Sequence, residues 1–348
     1  MATLNRVTLR DIDARLGVSH VTVSLSLSGH PRISKSRRDQ VMKAAREMGY
    51  SPDPMLTSLV AYRHSKRPAE IQSALAWINH WDNPQALRKF REFDAYWKGA
   101  SKAAERFGYR LDEFVWQPEM TPQRFETILR TRNIRGVLIP PHPKQPNWGN
   151  LEWKNFSTIR FGTSVRTPNS HVVSSNHFRA ISTAVEKIHS YGYKRIGFAI
   201  NGEHDRTQGG LWTGGFFAAQ RLLGLPHPLP QFIFNQPPGT PAIVLEFKKW
   251  LDKYKPDAIL TGAPHLIEAL KQFNLRIPQD VAVAATTIYD MPVDAGINQN
   301  SEEIGRVAVE TLVALINSND RGNPSLPRLI LVESTWVDGV SLPNLNAK

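Results

Sequence analysis

The stretch 7–29 constrains this chain more tightly than any other. Thr8 stands where a helix begins, and its hydroxyl can accept a free first-turn N–H. Leu9, Ile12 and Leu16 recur at i, i+3 and i+7, which makes one apolar helical face. Gly17 comes next, where a helix end calls for a left-handed residue. Ser19 then caps a second helix whose Val23 and Leu27 face inward. Two short helices joined by such a turn form a helix-turn-helix, the motif that lays its second helix in the DNA major groove. A third helix, capped by Ser34 or Ser36, carries Val41, Ala44, Ala45 and Met48 on one face and ends at Gly49 and Tyr50. Residues 51–63, with Pro52 in the first turn, read as a short helix with few packing partners of its own.

Charge is divided in the same way. The chain of 348 residues has a formal net charge of +12. Residues 1–67 hold 12 Lys/Arg and 5 Asp/Glu, so about a fifth of the chain carries more than half of the excess. A basic segment of this kind suits phosphate contact with salt-dependent affinity. There is no cysteine, which excludes a disulfide framework, a thiolate metal site and a Cys nucleophile. The N-terminus lacks the basic-then-apolar layout of a signal peptide. No apolar run approaches the ~20 residues of a membrane span. The expectation is a cytoplasmic protein with no membrane partner.

Beyond a basic linker at 64–68, strands alternate with helices, and the alternation implies βαβ units and a parallel sheet. Strands are expected at 73–79, 110–116, 136–139 and 157–161, with helices at 93–107 and 122–132. The pattern then restarts. Helices are expected at 177–192, 215–223, 242–254, 265–273 and 304–316, and strands at 195–200, 231–234, 258–261 and 281–285. Two similar halves suggest two stacked α/β lobes, with ligands expected beyond the carboxyl ends of the strands.

Residues 7–63 resemble the DNA-binding headpiece and hinge of the lactose-repressor/galactose-repressor (LacI/GalR) family of bacterial transcription regulators. The motifs that carry the resemblance are Val18, Ser19, Thr22, Val23 and Ser24, the junction Gly49-Tyr50-Ser51-Pro52, and Leu59. The rest of the chain matches the family in pattern. The resemblance implies an all-α headpiece over 1–50 and a hinge helix and linker over 51–72. It also implies a core similar to periplasmic binding proteins, its two lobes being doubly wound parallel sheets. The first lobe is expected at 73–161 and 289–320, the second at 162–288 and 321–348. It further implies a homodimer on near-palindromic double-stranded operator DNA, acting as a repressor under a small-molecule effector, with no cofactor.

The DNA-binding candidates are Thr8, Ser19, His20, Val21, Thr22, Ser24, Leu25, Arg32, Lys35 and Leu59. Ser19, His20 and Val21 open the recognition helix, whose N-terminal residues meet base edges. Thr8, Thr22 and Ser24 suit phosphate contact, and Arg32, Lys35, Arg37 and Arg38 are phosphate clamps. Leu59 matches the leucine that wedges into a central minor-groove step in the family. Two departures stand out. Val21 replaces a polar residue and Leu25 an arginine, so thymine-methyl contact is expected to gain weight over hydrogen-bonded readout.

The effector candidates are Trp81, Phe93, His142, Trp212, Ala263, His265 and Thr287. Relatives place an Arg, an Asn and an Asp where this chain has Trp212, Ala263 and Thr287. Three outcomes stay open: a sugar held by aromatic stacking and by His142, His265 and Thr287; a flatter, less polar ligand on Trp212; or no ligand. An enzyme is the rival class, but no Gly-x-Ser-x-Gly elbow, P-loop or His-Glu-x-x-His helix is present. A transport-type binding protein is the second rival, and the headpiece argues against it.

Overall fold

The computed structural model describes residues 7–27, 33–50, 73–226 and 228–347. Arg32, Leu59 and the whole hinge and linker, 51–72, lie outside the described residues.

The headpiece consists of α1 (Leu9–Leu16), α2 (His20–Leu27) and α3 (Lys35–Glu47). Ile12, Val23 and Val41 are fully buried and meet with Ala45, and Leu9, Leu16, Leu27, Met48 and Tyr50 close the small core around them. Gly17 takes φ 62° and ψ 35°, a left-handed conformation that costs other residues strain. Ser19 Oγ accepts the N–H of Thr22 at 3.1 Å. For α3 the cap is Ser34, whose Oγ accepts from Arg37 at 3.3 Å. At α1 Thr8 and Asp11 form a capping box. The Thr8 hydroxyl donates to Asp11 Oδ2 at 2.8 Å, and the same oxygen accepts the Thr8 N–H at 2.7 Å.

The core consists of two α/β lobes. The first holds β1 (Ser73–Asn79), β2 (Tyr109–Val115), β3 (Gly136–Ile139), β4 (Ser157–Phe161), β5 (His171–Ser175) and β11 (Leu329–Val332). They pair all-parallel in the order β11-β5-β4-β3-β1-β2. The second holds β6 (Ile196–Asn201), β7 (Phe232–Phe234), β8 (Ala258–Thr261), β9 (Ala282–Ala285), β10 (Gly296–Asn298) and β12 (Thr335–Val337), in the order β12-β10-β9-β8-β6-β7. Here β12 alone runs antiparallel to its neighbour. Strands β3, β4, β8 and β9 are buried along their whole length, as in a parallel sheet covered on both faces.

Helices α4 (Pro84–Leu87), α5 (Arg91–Arg106) and α6 (Pro122–Thr131) come after strands of the first lobe. The second carries α7 (His177–Ser190), α8 (Gly202–Thr207), α9 (Leu211–Leu222), α10 (Pro241–Tyr254) and α11 (Pro264–Gln272). Helix α12 (Ser301–Asn317) returns to the first lobe and lies against α5. Two glycines permit that approach. A Cβ at Gly99 would stand 1.8 Å from the Glu302 carbonyl oxygen, and one at Gly305 2.1 Å from that of Tyr96.

The lobe crossings fall later than the sequence pattern placed them. They lie at 176, 299–300 and 333–334, not near 162, 288 and 320, because β5 belongs to the first sheet, β10 to the second, and β11 again to the first. The crossing segments are stitched side by side. Ser175 and Ser334 hydroxyls share a hydrogen bond of 3.0 Å, Asn176 Nδ2 donates to Glu333 Oε1 at 3.0 Å, and Asn300 Nδ2 to the Glu333 carbonyl at 2.8 Å.

Candidate DNA-reading face and interlobe cleft

On α2 the buried side chains are Val23 and Ser26, which turns His20, Val21 and Ser24 to solvent. Val21 is 62% exposed. An exposed valine on a short helix beside a packed core is consistent with a groove-facing surface rather than with folding. Thr22 is half-buried, its hydroxyl 2.8 Å from Ser19 Oγ, and Leu25 is half-buried as well. Thr8 is exposed but its hydroxyl serves Asp11. Lys35 is exposed in the first turn of α3. His20 Nδ1 lies 3.6 Å from Asp13 Oδ2, a neighbour that sequence reading did not single out.

Loops beyond the parallel strands build the cleft rims. After β1, Asn79 donates to the Pro84 carbonyl and to Glu113 and accepts from the Trp81 N–H, while Trp81 Nε1 donates to the Pro141 carbonyl at 2.9 Å. Trp81, Phe90 and Phe93 form a ring cluster with centroids 5.5–6.2 Å apart. After β3, His142 Nδ1 meets the Pro140 carbonyl at 2.7 Å and Nε2 accepts the His80 N–H at 3.0 Å. Burial pushes its pKa down to about 4. With both nitrogens taken by backbone, His142 holds the rim together, and its expected hydrogen bond to a ligand is not available.

Across the cleft the second lobe differs. Trp212 is 6% exposed, with His177 and His204 each 5.1 Å from it, centroid to centroid. The indole is therefore wedged into its lobe, which corrects the expectation of a free stacking face. Its Nε1 and His177 Nδ1 are buried without a partner. Burial pushes His177 down to about 3 and lowers His204 too, so both rings are neutral. Ala263 is buried in the apolar cluster around β8 and offers no polar contact. It starts α11, which has no side-chain cap. Thr286 Oγ1 and His265 Nε2 are unpartnered near that helix start, and a Cβ at Gly262 would stand 2.5 Å from the Thr286 hydroxyl. Thr287 Oγ1 accepts the Tyr289 N–H at 3.4 Å.

Among the described residues, contacts of Arg91 and of Thr163 bridge the lobes, the Arg91 guanidinium lying 5.8 Å from the centre of the Tyr289 ring. Asp290 Oδ2 accepts the Arg91 N–H at 2.9 Å, so a second-lobe carboxylate occupies the N-terminus of α5, whose own preceding residue, Phe90, makes no cap. Thr163 Oγ1 lies 2.7 Å from Gln208 Oε1 and 2.9 Å from the Thr207 carbonyl. Beside the first bridge, Tyr96 donates to Glu92 at 2.9 Å. Desolvation pushes Glu92 up to about 7, and the charge of Asp290 adds to the rise. Glu92 and Asp290 lie in segments with no motif, so sequence carried no signal for either. Among the described residues no group of three His, Asp or Glu is placed to hold a metal, and no helix is long and apolar enough to cross a membrane.

A helix-turn-helix headpiece ahead of two lobes with matching sheet order and a cleft between their strand ends defines a DNA-binding regulator with an effector-binding core. The chain belongs to the lacI family of bacterial regulatory proteins, whose model matches residues 8–53, and a periplasmic binding protein-like domain matches residues 185–342. It is 25% identical to the HTH-type transcriptional repressor CytR of Escherichia coli, over 91% of this chain and 92% of that one. It is 24% identical to the NTD biosynthesis operon regulator NtdR of Bacillus subtilis, over 94% and 99%, and 23% to the ribose operon repressor of Escherichia coli, over 88% and 92%. Its fold is similar to that of a transcriptional regulator CelR–cellobiose complex, TM-score 0.57 at 19% identity over 97% of this chain and all of that one. It is also similar to the lac repressor dimer bound to operator and the anti-inducer ONPF, TM-score 0.53 at 16% identity with the same coverage. The protein is thus a sequence-specific DNA-binding transcription regulator.

Proposed function

We propose that the chain acts in the cytoplasm as a homodimeric repressor, without a cofactor or an enzymatic step. Its operator is a near-palindrome, since a two-fold protein reads two inverted half-sites. The observation that supports this most is the outward set His20, Val21 and Ser24 at the start of α2, with Ser19 at the helix cap. Ser19, Thr22 and Lys35 contact phosphate, Val21 and Leu25 meet thymine methyls, and His20 meets a base edge.

The effector is a small, uncharged, polar molecule, with carbohydrate the favoured class. The unpartnered groups on the second-lobe rim are neutral donors and acceptors, and the histidines among them are held neutral by burial. A ring of hydroxyls satisfies such groups without a counter-charge, whereas a phosphate or carboxylate needs a cationic partner, and Arg206 on that rim is already paired with Glu203. The ribose operon repressor and the cellobiose-bound CelR support the class by similarity. Trp81 and Phe93 supply the apolar wall, His265 and Thr287 the polar one, and Trp212, His142 and Ala263 set the shape.

Selection of sites from a random duplex pool with the full-length protein at fixed salt tests the DNA half. An enriched near-palindrome with half-sites about one helical turn apart supports it. No enrichment with or without a mixture of neutral sugars overturns it. A thermal-shift panel of neutral sugars against sugar phosphates tests the effector class, and stabilisation by the phosphates alone overturns that part.

A further inference from the structure

Taking the DNA-reading role of α2 as given, we propose that Asp13 is a positioning residue for His20, and that the pair reads a base that offers an amino group in the major groove. The helix His20–Leu27 contains one ionisable side chain, His20. Val23 and Ser26 are buried, the Thr22 hydroxyl is turned to Ser19, and Val21 and Leu25 are apolar. Apart from the exposed Ser24 hydroxyl, hydrogen-bonded discrimination at the N-terminal end of the helix rests on the imidazole.

An imidazole that turns freely presents a nitrogen or a C–H to the groove and selects nothing. Asp13 removes that freedom. It sits on α1, half-buried, with Oδ2 3.6 Å from His20 Nδ1, while the histidine side chain keeps 54% of its exposure. This is ion-pair reach rather than a closed hydrogen bond; it sets the Nδ1 edge toward α1, where the carboxylate favours a proton on that nitrogen. Several neighbouring charges are engaged elsewhere: Asp11 with Thr8, Arg15 and Lys43 with Glu47, and Arg37 with Gln40; Arg10, also on α1, is exposed. An uncharged imidazole with its proton on Nδ1 is an acceptor at Nε2. Adenine N6 and cytosine N4 are the amino donors of the major groove, whereas guanine and thymine show acceptors there. His20 thus selects adenine or cytosine on the strand it faces. Asp13 touches no DNA and acts through the ring.

The test uses the operator obtained by selection, at pH 8, with each half-site position varied in turn. The expected result is one position where adenine or cytosine is preferred roughly 5- to 10-fold, the scale of one mismatch. H20A removes that preference and no other. D13A removes it too, although residue 13 contacts no base. D13N restores it, because its amide oxygen can still accept from Nδ1. The double variant D13A/H20A is no worse than H20A alone. D13A keeping the wild-type preference, or weakening every position alike, overturns the proposal. Alanine favours helix, so D13A is expected to keep the headpiece melting point, and the D13N rescue guards against a folding artefact. Failure of the selection itself would instead count against the operator reading.

Discussion

The two lobes share one sheet order and differ at the rim. In the first, the rim groups of the loops after β1 and β3 are closed on their own backbone, while Trp77 Nε1, Thr158 Oγ1 and Ser301 Oγ are buried without partners elsewhere in that lobe. His142 spends both nitrogens on Pro140 and His80, Trp81 on Pro141 and Trp148 on Thr167. The buried Arg160 bonds Val165 and Ser170 along the loop that leaves β4. In the second lobe, His177, Trp212, His265 and Thr286 each leave a buried polar atom without a partner. Unpaired buried polar atoms are costly, so a rim that keeps several of them is one shaped for something else to satisfy. The first lobe supplies a rigid wall and the second supplies open valences. One fold can do both because sheet order sets the layers while the loops beyond the strands set the chemistry.

Acidification gives the largest test of this difference. His142 in the folded protein titrates at about 4 and His177 at about 3, against roughly 6.5 for an unfolded histidine. The folded pKa values are the lower ones, so the unfolded chain binds protons first as pH falls. Stability from these rings is complete above about 6.5 and is lost below it, by up to ~1.4 kcal/mol per pH unit for each ring. Between pH 6.5 and 4 the expected loss is roughly 3 kcal/mol per ring. Chemical denaturation at pH 7, 5.5 and 4.5 measures it, and a flat profile would mean that neither ring is sealed from water.

Next in size is His142→Ala, which leaves the Pro140 carbonyl and the His80 N–H without partners and should cost about 2 kcal/mol or more. His265→Ala removes a ring with a free nitrogen and should cost under about 1 kcal/mol of stability, while weakening effector binding about tenfold. Melting curves with and without ligand separate the two. If His142→Ala proves the ligand mutant and His265→Ala the stability mutant, the assignment of the rims is reversed.

Much of this was legible in the sequence, and the boundary is physical. The headpiece core of Ile12, Val23 and Val41 shows as local periodicity, and β1 matches the buried strand expected from Ser73 to Asn79. Strand β5 was not legible. His171–Ser175 is short, ends in two serines and runs straight into α7, and it becomes a strand by pairing with β4 and with β11, far along the chain. Missing β5 shifted the first crossing. Likewise, Trp212 was visible as an aromatic at a ligand position. Its two covering rings come from residues 177 and 204, and no local pattern joins those to it. Asp13 belongs to α1 by its sequence and to His20 only by the turn between them.

The smallest expected effect concerns the join between the rims. Asp290 reaches across the cleft to the first N–H of α5, so the helix is capped only while the lobes are together. Asp290→Ala should cost about 1 kcal/mol, the scale of a lost cap, and all of it should fall on the closed arrangement. Thr163 with Gln208 and Thr207 forms a second bridge, so the variant should loosen closure rather than abolish it. Small-angle scattering of the effector-free protein should show a slightly larger radius of gyration for Asp290→Ala and a larger one still with Thr163→Val added. Removing Asp290 also takes a negative charge away from Glu92, whose elevated pKa should then fall. If Asp290→Ala lowers the melting point of the first lobe as much as a core substitution does, the carboxylate is serving the fold of α5 itself, and the two rims are coupled more tightly than a latch would make them.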